Sequence, residues 1–248
     1  MNKVILITGA SRGIGRSAAR LAGARGWCVG VNYAGNVAAA QQTVGEVEQA
    51  GGQAIAIQGD VALEADVLRM FDAVQARFGR LDGLVNNAGI VAPASMLADI
   101  DVQRLKRIFD VNILGTYLCA REAARRLSTG RGGPGGTIVN ISSAASRLGS
   151  PNEYVDYAGS KGAVDTLTIG LAKELGPQGV RVLAIRPGLI DTEIHASMGS
   201  PERAATLGKH TPLGRAGRAD EIGEAIVWAL SDAASYVSGA LIDVSGGR

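Results

Sequence analysis

The chain has 248 residues, 46% apolar and 19% charged, with a formal net charge of +2. That is enough for one sizeable hydrophobic core and too close to neutral for the electrostatic footprint of a nucleic-acid-binding protein. No basic block interleaves with aromatics, no apolar run approaches a membrane span, and the opening "MNKVILITGA" has too few apolar residues for the core of a signal peptide. A cytoplasmic protein with neither a nucleic acid nor a membrane as partner is therefore expected. Cys28 and Cys119 stand alone in apolar surroundings, and His195 and His210 form no ligand motif, so neither a redox pair nor a metal site is expected.

Along the chain, short β-branched runs alternate with helical patterns. The first half reads "KVILIT", a helix from about Gly13, "WCVGVNY", a helix, "QAIAIQ", a helix and "LDGLVNN". The second half continues with one long helix through Arg121, then "GTIVNIS", a helix around Tyr157, "VRVLAIRP", a helix near Ile222 and "GALIDVSG". Nearly continuous apolar strands alternating with helices predict a parallel sheet covered on both faces, a doubly wound α/β domain of the Rossmann type over residues 1–248. The glycine-rich "STGRGGPGG", residues 128–136, leads straight into another buried-type strand and reads as a surface loop within that domain.

In such a sheet, ligands bind beyond the carboxyl ends of the strands, where the strand order reverses. The first strand ends in "TGASRGIG", residues 8–15, and a helix follows. Gly9, Gly13 and Gly15 allow a tight turn, let a pyrophosphate approach the main chain and offer it a helix N-terminus. A glycine-rich turn can also serve packing alone, but its place after the first strand of a βα alternation points to a dinucleotide.

The stretch "YVDYAGSK", residues 154–161, sets two phenols ahead of one ammonium. On a helix Tyr157 and Lys161 are i and i+4 and share a face, whereas Tyr154 lies about 10 Å along the axis from Lys161. Shifting a phenol from its ordinary pKa near 10 to about 7 takes about 4 kcal/mol, and a positive charge at ~4 Å in an effective dielectric of about 20 supplies about that much. Lys161 is therefore expected to bring Tyr157 within range of acid and base work near neutrality. Taken alone, the pair also suits an ordinary helix surface.

Together, "TGASRGIG", "NNAG" at 86–89, "NISS" at 140–143, "YAGSK" at 157–161 and "RPG" at 186–188 resemble the short-chain dehydrogenases/reductases of compact, single-domain type. The likeness runs through essentially the whole chain to "YVSGALIDVSGG". It implies Tyr157 as catalytic acid/base, Lys161 as its pKa-lowering partner and ribose contact, and Ser143 as the hydroxyl that holds the substrate oxygen. Asn112, in "DVNILGT", is implied as support for a water and lysine proton relay. On the cofactor side the resemblance implies Gly9, Ser11, Arg12, Gly13, Ile14 and Gly15 in the phosphate turn and Asp60 and Val61 beside the adenine. Asn87, Ala88 and Gly89 fall beside the adenosine ribose, and Pro187, Gly188, Ile190 and Thr192 on the nicotinamide side. A homotetramer is also implied, compatible with the apolar "AIVWAL" helix and final "ALIDV" strand.

Two departures from the family pattern stand out. Ser143 and Tyr157 are fourteen steps apart, one more than the usual spacing, and Ser142 is a neighbouring rival. Strand alternation favours Ser143, with Ser142 on the other face. The extra residue falls in "SRLGSPNEYVD", expected to rim the substrate pocket, whereas the second departure, the long "GRGGPGG" loop, is expected to have no direct role.

The substrate is expected to be a small carbonyl compound or alcohol. A polyol or sugar, a keto ester and a carrier-bound 3-oxoacyl chain all remain open, as does a non-catalytic dinucleotide sensor on the same fold. Residues 195–215, "HASMGSPERAATLGKHTPLGR", are expected to form a lid, with Arg147, Glu153 and Tyr154 as polar groups at the entrance and Met198 and Leu207 as apolar walls. For the cofactor, the second strand ends in "GVNYAGN" with neutral Asn32 where an NAD enzyme carries an acid, and no acid follows until Glu46. With Arg12 in the glycine turn able to face the same ribose, NADP(H) is expected to be preferred, NAD(H) being possible.

Overall fold

The structure is a computed structural model that describes residues 2–194 and 202–248. Its strands are β1 (Val4–Ile7), β2 (Cys28–Tyr33), β3 (Gln53–Gln58), β4 (Gly83–Asn86), β5 (Gly136–Ile141), β6 (Val180–Pro187), β7 (Ile190–Asp191), β8 (Gly217–Arg218) and β9 (Leu241–Val244). Its helices are α1 (Gly13–Gly23), α2 (Val37–Gln49), α3 (Glu64–Phe78), α4 (Val102–Phe109), α5 (Thr116–Leu127), α6 (Ala145–Leu148), α7 (Val155–Leu175), α8 (Arg203–Gly208) and α9 (Ala219–Leu230). Seven strands form one sheet in the order β3-β2-β1-β4-β5-β6-β9, and every neighbouring pair is parallel. This is the doubly wound architecture that the strand and helix alternation predicts.

The apolar strands are continuous because both faces of the sheet are covered. Ile5 and Ile7 join a cluster with Ala18 and Ala22 of α1, Val47 of α2 and Ile222 and Ile226 of α9. Val4 and Leu6 join the opposite cluster with Met70, Phe71 and Val74 of α3, Cys119 and Ala123 of α5 and Leu175 of α7. Each strand thus supplies alternate side chains to two cores. The chain leaves β1 toward β2 and β3 on one side and returns through β4 on the other, so the strand order reverses between β1 and β4. A crevice opens at their carboxyl ends.

The long helix expected through Arg121 is interrupted. Residues Asp110–Gly115 form a π-helical turn between α4 and α5. Such an insertion widens one turn and re-aims its side chains, and here it brings Asn112 fully inside, at 0% exposure. Gly115 at its end faces Val61, whose Cγ2 would lie 2.6 Å from a Cβ at that position. Periodicity did not reveal the interruption, because a one-residue insertion barely disturbs the apolar pattern.

Two small features also escaped the sequence. α6 is a single turn after β5, and β7 pairs with β8 to form a separate two-stranded sheet below the sixth strand's end. Of the expected lid, His195 and Met198 lie outside the described residues, while Leu207 lies in α8.

Candidate active site

The turn after β1 is held by short polar side chains bonded to backbone. Gly9 and Gly13 have φ of 61° and 53°, a region that favours glycine. The Gly9 N–H donates to Asn32 Oδ1 at 3.0 Å. Asn87 Nδ2 donates to the carbonyls of Thr8 and Gly9 at 2.8 and 3.0 Å, and Thr8 Oγ1 accepts from the backbone N–H groups of Asn87 and Ala88. Gly15 is set behind the turn, where a Cβ would lie 2.5 Å from Asn87 Nδ2 and 2.7 Å from Gly9 O. Its lack of a side chain lets α1 start this close to the turn.

Asn32 ties the turn to the neighbouring strand. It is 2% exposed, and besides accepting from Gly9 its amide donates to the carbonyls of Ile57 and Gly59 at 3.3 and 3.0 Å. Both ends of the amide are engaged, so the side chain braces the turn against β3, and the residue also lines the cleft. Beyond it, Tyr33, Ala34, Gly35 and Asn36 border the cleft. Asn36 Oδ1 accepts from Ala39 N and caps α2. "YAGN" was visible as neutral sequence, but which residue faces the cleft depends on where β2 ends.

The crevice contains a cleft of about 480 Å³. Ser11, Arg12, Gly13 and Ile14 line one end with Asp60 and Val61, and Ala88 and Gly89 line its floor. Pro187, Gly188, Ile190 and Thr192 form the wall after β6. Asp60 is held in place, accepting from Ala62 N at 3.0 Å and from Arg107 at 3.1 Å. The Arg12 side chain is exposed and forms no hydrogen bond or ion pair among the described residues.

At the other end, Ser143, Tyr157 and Lys161 line the same cleft. α7 places Tyr157 and Lys161 one turn apart, with Lys161 Nζ 5.6 Å from the centre of the Tyr157 ring. The ammonium donates to Ile141 O at 2.8 Å. Burial drives the Lys161 pKa down to about 8, with Asp165 opposing the shift. Burial raises the Tyr157 pKa, and its hydrogen bond with Ser143 partly offsets that. This differs from the expectation that Lys161 lowers it: removal from water is the largest cause of the shift, and Lys161 is not among the groups that oppose it.

Ser142 and Ser143 both line the cleft but bond to different groups. Ser142 Oγ is buried and donates to Lys161 O, while Ser143 Oγ accepts from Ala145 N and lowers the Tyr157 pKa against the effect of burial. Asn112 lies behind the cleft. Its Oδ1 accepts from Ile90 N at 2.8 Å, and its Nδ2 donates to Ile90 O and Ser160 Oγ. A Cβ on Gly89 would lie 3.4 Å from Lys161 Nζ and 3.5 Å from Asn112 Oδ1, so glycine there keeps the space between them open.

The rim is built from the segment with the extra residue. Ser150 and Asn152 have φ of 46° and 61°, the only non-glycine residues with positive φ among those described. Both lie in the left-handed region, in the connection between α6 and α7. Glu153 forms a two-pronged pair with Arg203 of α8 at 2.8 and 2.7 Å, and Arg203 stacks on the Tyr154 ring at 5.1 Å. Tyr154 lines the cleft, whereas Arg147 turns to the chain's end and donates to Arg248 O. No residue of the loop 128–136 lines the cleft.

A glycine-turn cleft at the strand reversal, closed at one end by Ser, Tyr and Lys, is the class of site that fold and side chains define here. The family model described as enoyl-(acyl carrier protein) reductase matches residues 9–248. An uncharacterized oxidoreductase of Escherichia coli K12, YgfF, is 49% identical over 99% of both chains. A 3-oxoacyl-[acyl-carrier-protein] reductase of Staphylococcus aureus is 36% identical over 100% of this chain and 98% of its own. The crystal structure of a 3-ketoacyl-(acyl-carrier-protein) reductase from Brucella melitensis, complexed with NADH, superposes with a TM-score of 0.91 at 32% identity, covering 99% of this chain and 98% of the other. The chain belongs to the short-chain dehydrogenase/reductase family of oxidoreductases.

Proposed function

We propose that the protein interconverts a carbonyl compound and a secondary alcohol by hydride transfer, with NADP(H) as preferred coenzyme and residues 1–248 acting as one catalytic unit. The observation that carries this reading is the convergence of Ser143, Tyr157 and Lys161 on the glycine-turn cleft, with Lys161 Nζ 5.6 Å from the centre of the Tyr157 ring.

The cradle suits a dinucleotide. Glycines at positions 9 and 15 leave space that a Cβ would fill, and Gly13 opens α1, whose free N–H groups favour a phosphate. When bound, the coenzyme supplies or accepts the hydride. Reduction builds negative charge on the substrate oxygen, where the Ser143 hydroxyl donates a hydrogen bond and the Tyr157 hydroxyl delivers its proton. In the oxidative direction Tyr157 accepts the alcohol proton. Lys161, charged below about pH 8, stabilises phenolate as it forms. Asn112 holds Ile90, next to Gly89, in the wall beside Lys161.

NADP(H) preference rests on Arg12, whose guanidinium lines the cleft without a partner among the described residues, and on the absence of an acid at Tyr33 to Asn36. Arg12→Ala is expected to weaken NADPH about tenfold or more relative to NADH, the size of a lost charge-assisted hydrogen bond. The ratio of kcat/KM for the two coenzymes checks it, and a wild type that favours NADH overturns the preference. The activity itself is tested by following NADPH consumption with a panel of ketones, sugars and acyl thioesters. Coenzyme binding without turnover of any of them would favour a dinucleotide sensor.

The protein acts as a cytoplasmic homotetramer in this reading. The exposed Phe109, Leu114 and Tyr117 around α4 and α5, with Trp228 on α9, supply apolar faces for assembly. Among the described residues no helix is long and apolar enough to cross a membrane. Sedimentation of only a monomer at micromolar concentration would reject the tetramer.

A further inference from the structure

One buried ion pair lies next to the proposed acid/base without touching it. Arg104 of α4 donates from Nε to Asp156 Oδ2 at 2.8 Å and from Nη2 to Oδ1 at 3.2 Å. The Asp156 side chain is 0% exposed and that of Arg104 15%. Arg104 also donates from Nη1 to Pro93 O at 2.6 Å. Asp156 occupies the first turn of α7, immediately before Tyr157. Burial pushes its carboxyl pKa up, but Arg104 and the backbone N–H groups of Tyr157 and Asp156 outweigh that and hold it below the ordinary range.

A buried ion pair of this kind is a poor investment in stability, since apolar residues of similar volume do as well or better. What it offers is geometry. The planar guanidinium connects three elements at fixed angles: α4, the first turn of α7, and the loop after β4 through Pro93. Ile90 and Val91 of that loop line the cleft, and Ser95 N donates to Glu153 O, tying the loop to the rim a second time.

We propose that Arg104 and Asp156 are a positioning pair that fixes the phenol of Tyr157 against the loop 90–95, and so sets the distance between the proton donor and the wall that holds the substrate. The inference rests on the proposed carbonyl reduction. Neither residue reaches the reacting atoms: Asp156 acts through the backbone of Tyr157, and Arg104 through Asp156 and Pro93. A displacement of about 1 Å at a reacting group costs about 100-fold in rate, which is the scale of effect expected when the pair is lost.

The test compares wild type with Arg104→Met, Asp156→Leu and the double variant. Turnover is measured with NADPH and each of ethyl acetoacetate, cyclohexanone and acetoacetyl-coenzyme A, together with melting temperature, NADPH fluorescence titration and amide exchange over residues 154–161. Each single variant leaves one buried charge uncompensated and is expected to melt earlier. The double variant is expected to regain the wild-type melting temperature and NADPH affinity, while kcat stays about 100-fold down and the Tyr157 amide exchanges faster. Recovery of kcat together with melting temperature would make the pair structural only and overturn the proposal. A wild type inactive on all three probes counts against the proposed function instead. The pair is then judged by exchange, and an unchanged Tyr157 amide in the double variant overturns it.

Discussion

The two ends of the cleft are built from different materials. At the glycine turn, Asn32, Asn87 and Thr8 are short side chains bonded to backbone, and those bonds are buried or part-buried. At the rim, Glu153 and Arg203 reach across from separate elements with long charged side chains, one of them 37% exposed. Short buried amides give up little rotamer freedom and fix a backbone shape, whereas long exposed ion pairs are weak and easily exchanged. In the proposed function, that contrast corresponds to a rigid coenzyme seat and a replaceable substrate rim. The same scaffold can therefore keep its chemistry while its specificity changes.

The largest effect that sharpens this contrast lies at the junction of the two ends. Tyr157→Phe removes the proposed proton donor and leaves the ring, so carbonyl reduction is expected to fall by about 1,000-fold while NADPH binding persists. Tyr154→Phe, on the rim, is expected to retain turnover. Equal loss in both, followed by NADPH oxidation, would contradict the assignment of the two phenols.

Next in size is Asn32→Asp. At an NAD-type strand end this change would favour NADH, but here it sets a carboxylate against the Ile57 and Gly59 carbonyls in a site 2% exposed. A cost of about 3 kcal/mol or more is expected, a fall of roughly 10 °C in melting temperature for a chain of this size. A stable variant with a coenzyme switch would show that the side chain can turn outward.

pH separates activity from stability. Lys161 has a folded pKa of about 8 against an ordinary 10.5, so between those values the unfolded chain binds the additional proton. This residue's contribution to stability therefore rises as pH increases from about 8 to about 10.5, and it opposes folding below that window. Reduction needs the ammonium and is expected to decline as pH rises through about 8. Parallel pH profiles of kcat and melting temperature check the opposite slopes, and a rate that stays level to pH 10 would break the link to Lys161.

Smallest is the rim itself. Glu153→Gln removes a partly exposed pair worth about 0.2–1 kcal/mol. Melting temperature is expected to change little, while KM for bulky carbonyl substrates changes by a few-fold through α8. A large loss of coenzyme affinity in this variant would show that the two ends are not independent.

Much of this site was legible in the residues. The turn at 8–15, the neighbouring Asn87 to Gly89 and the Ser143, Tyr157 and Lys161 set occupy one crevice because each falls at the carboxyl end of a strand or in the helix just after it, and the alternation of elements makes those ends converge. Gly15 and Asn112 border that crevice from behind, in clearance and support. Roles that depend on where a side chain points were not legible. The Asn32 amide bonds to the neighbouring strand, and Arg104 reaches Asp156 across 52 residues of sequence.

By itself, then, the sequence determines the doubly wound sheet, the place of the cleft and the helical spacing of Tyr157 and Lys161, all of which follow from local periodicity and from glycine where a Cβ cannot fit. Only the tertiary structure decides the π-helical turn that buries Asn112, the bonding of Asn32 to the neighbouring strand, the arginine clamps on Glu153 and Asp156 at the start of α7, and the burial that lowers the Lys161 pKa while raising that of Tyr157. Those depend on which distant groups meet in the folded chain and on how much water they lose there, and neither quantity is written in any local stretch of residues.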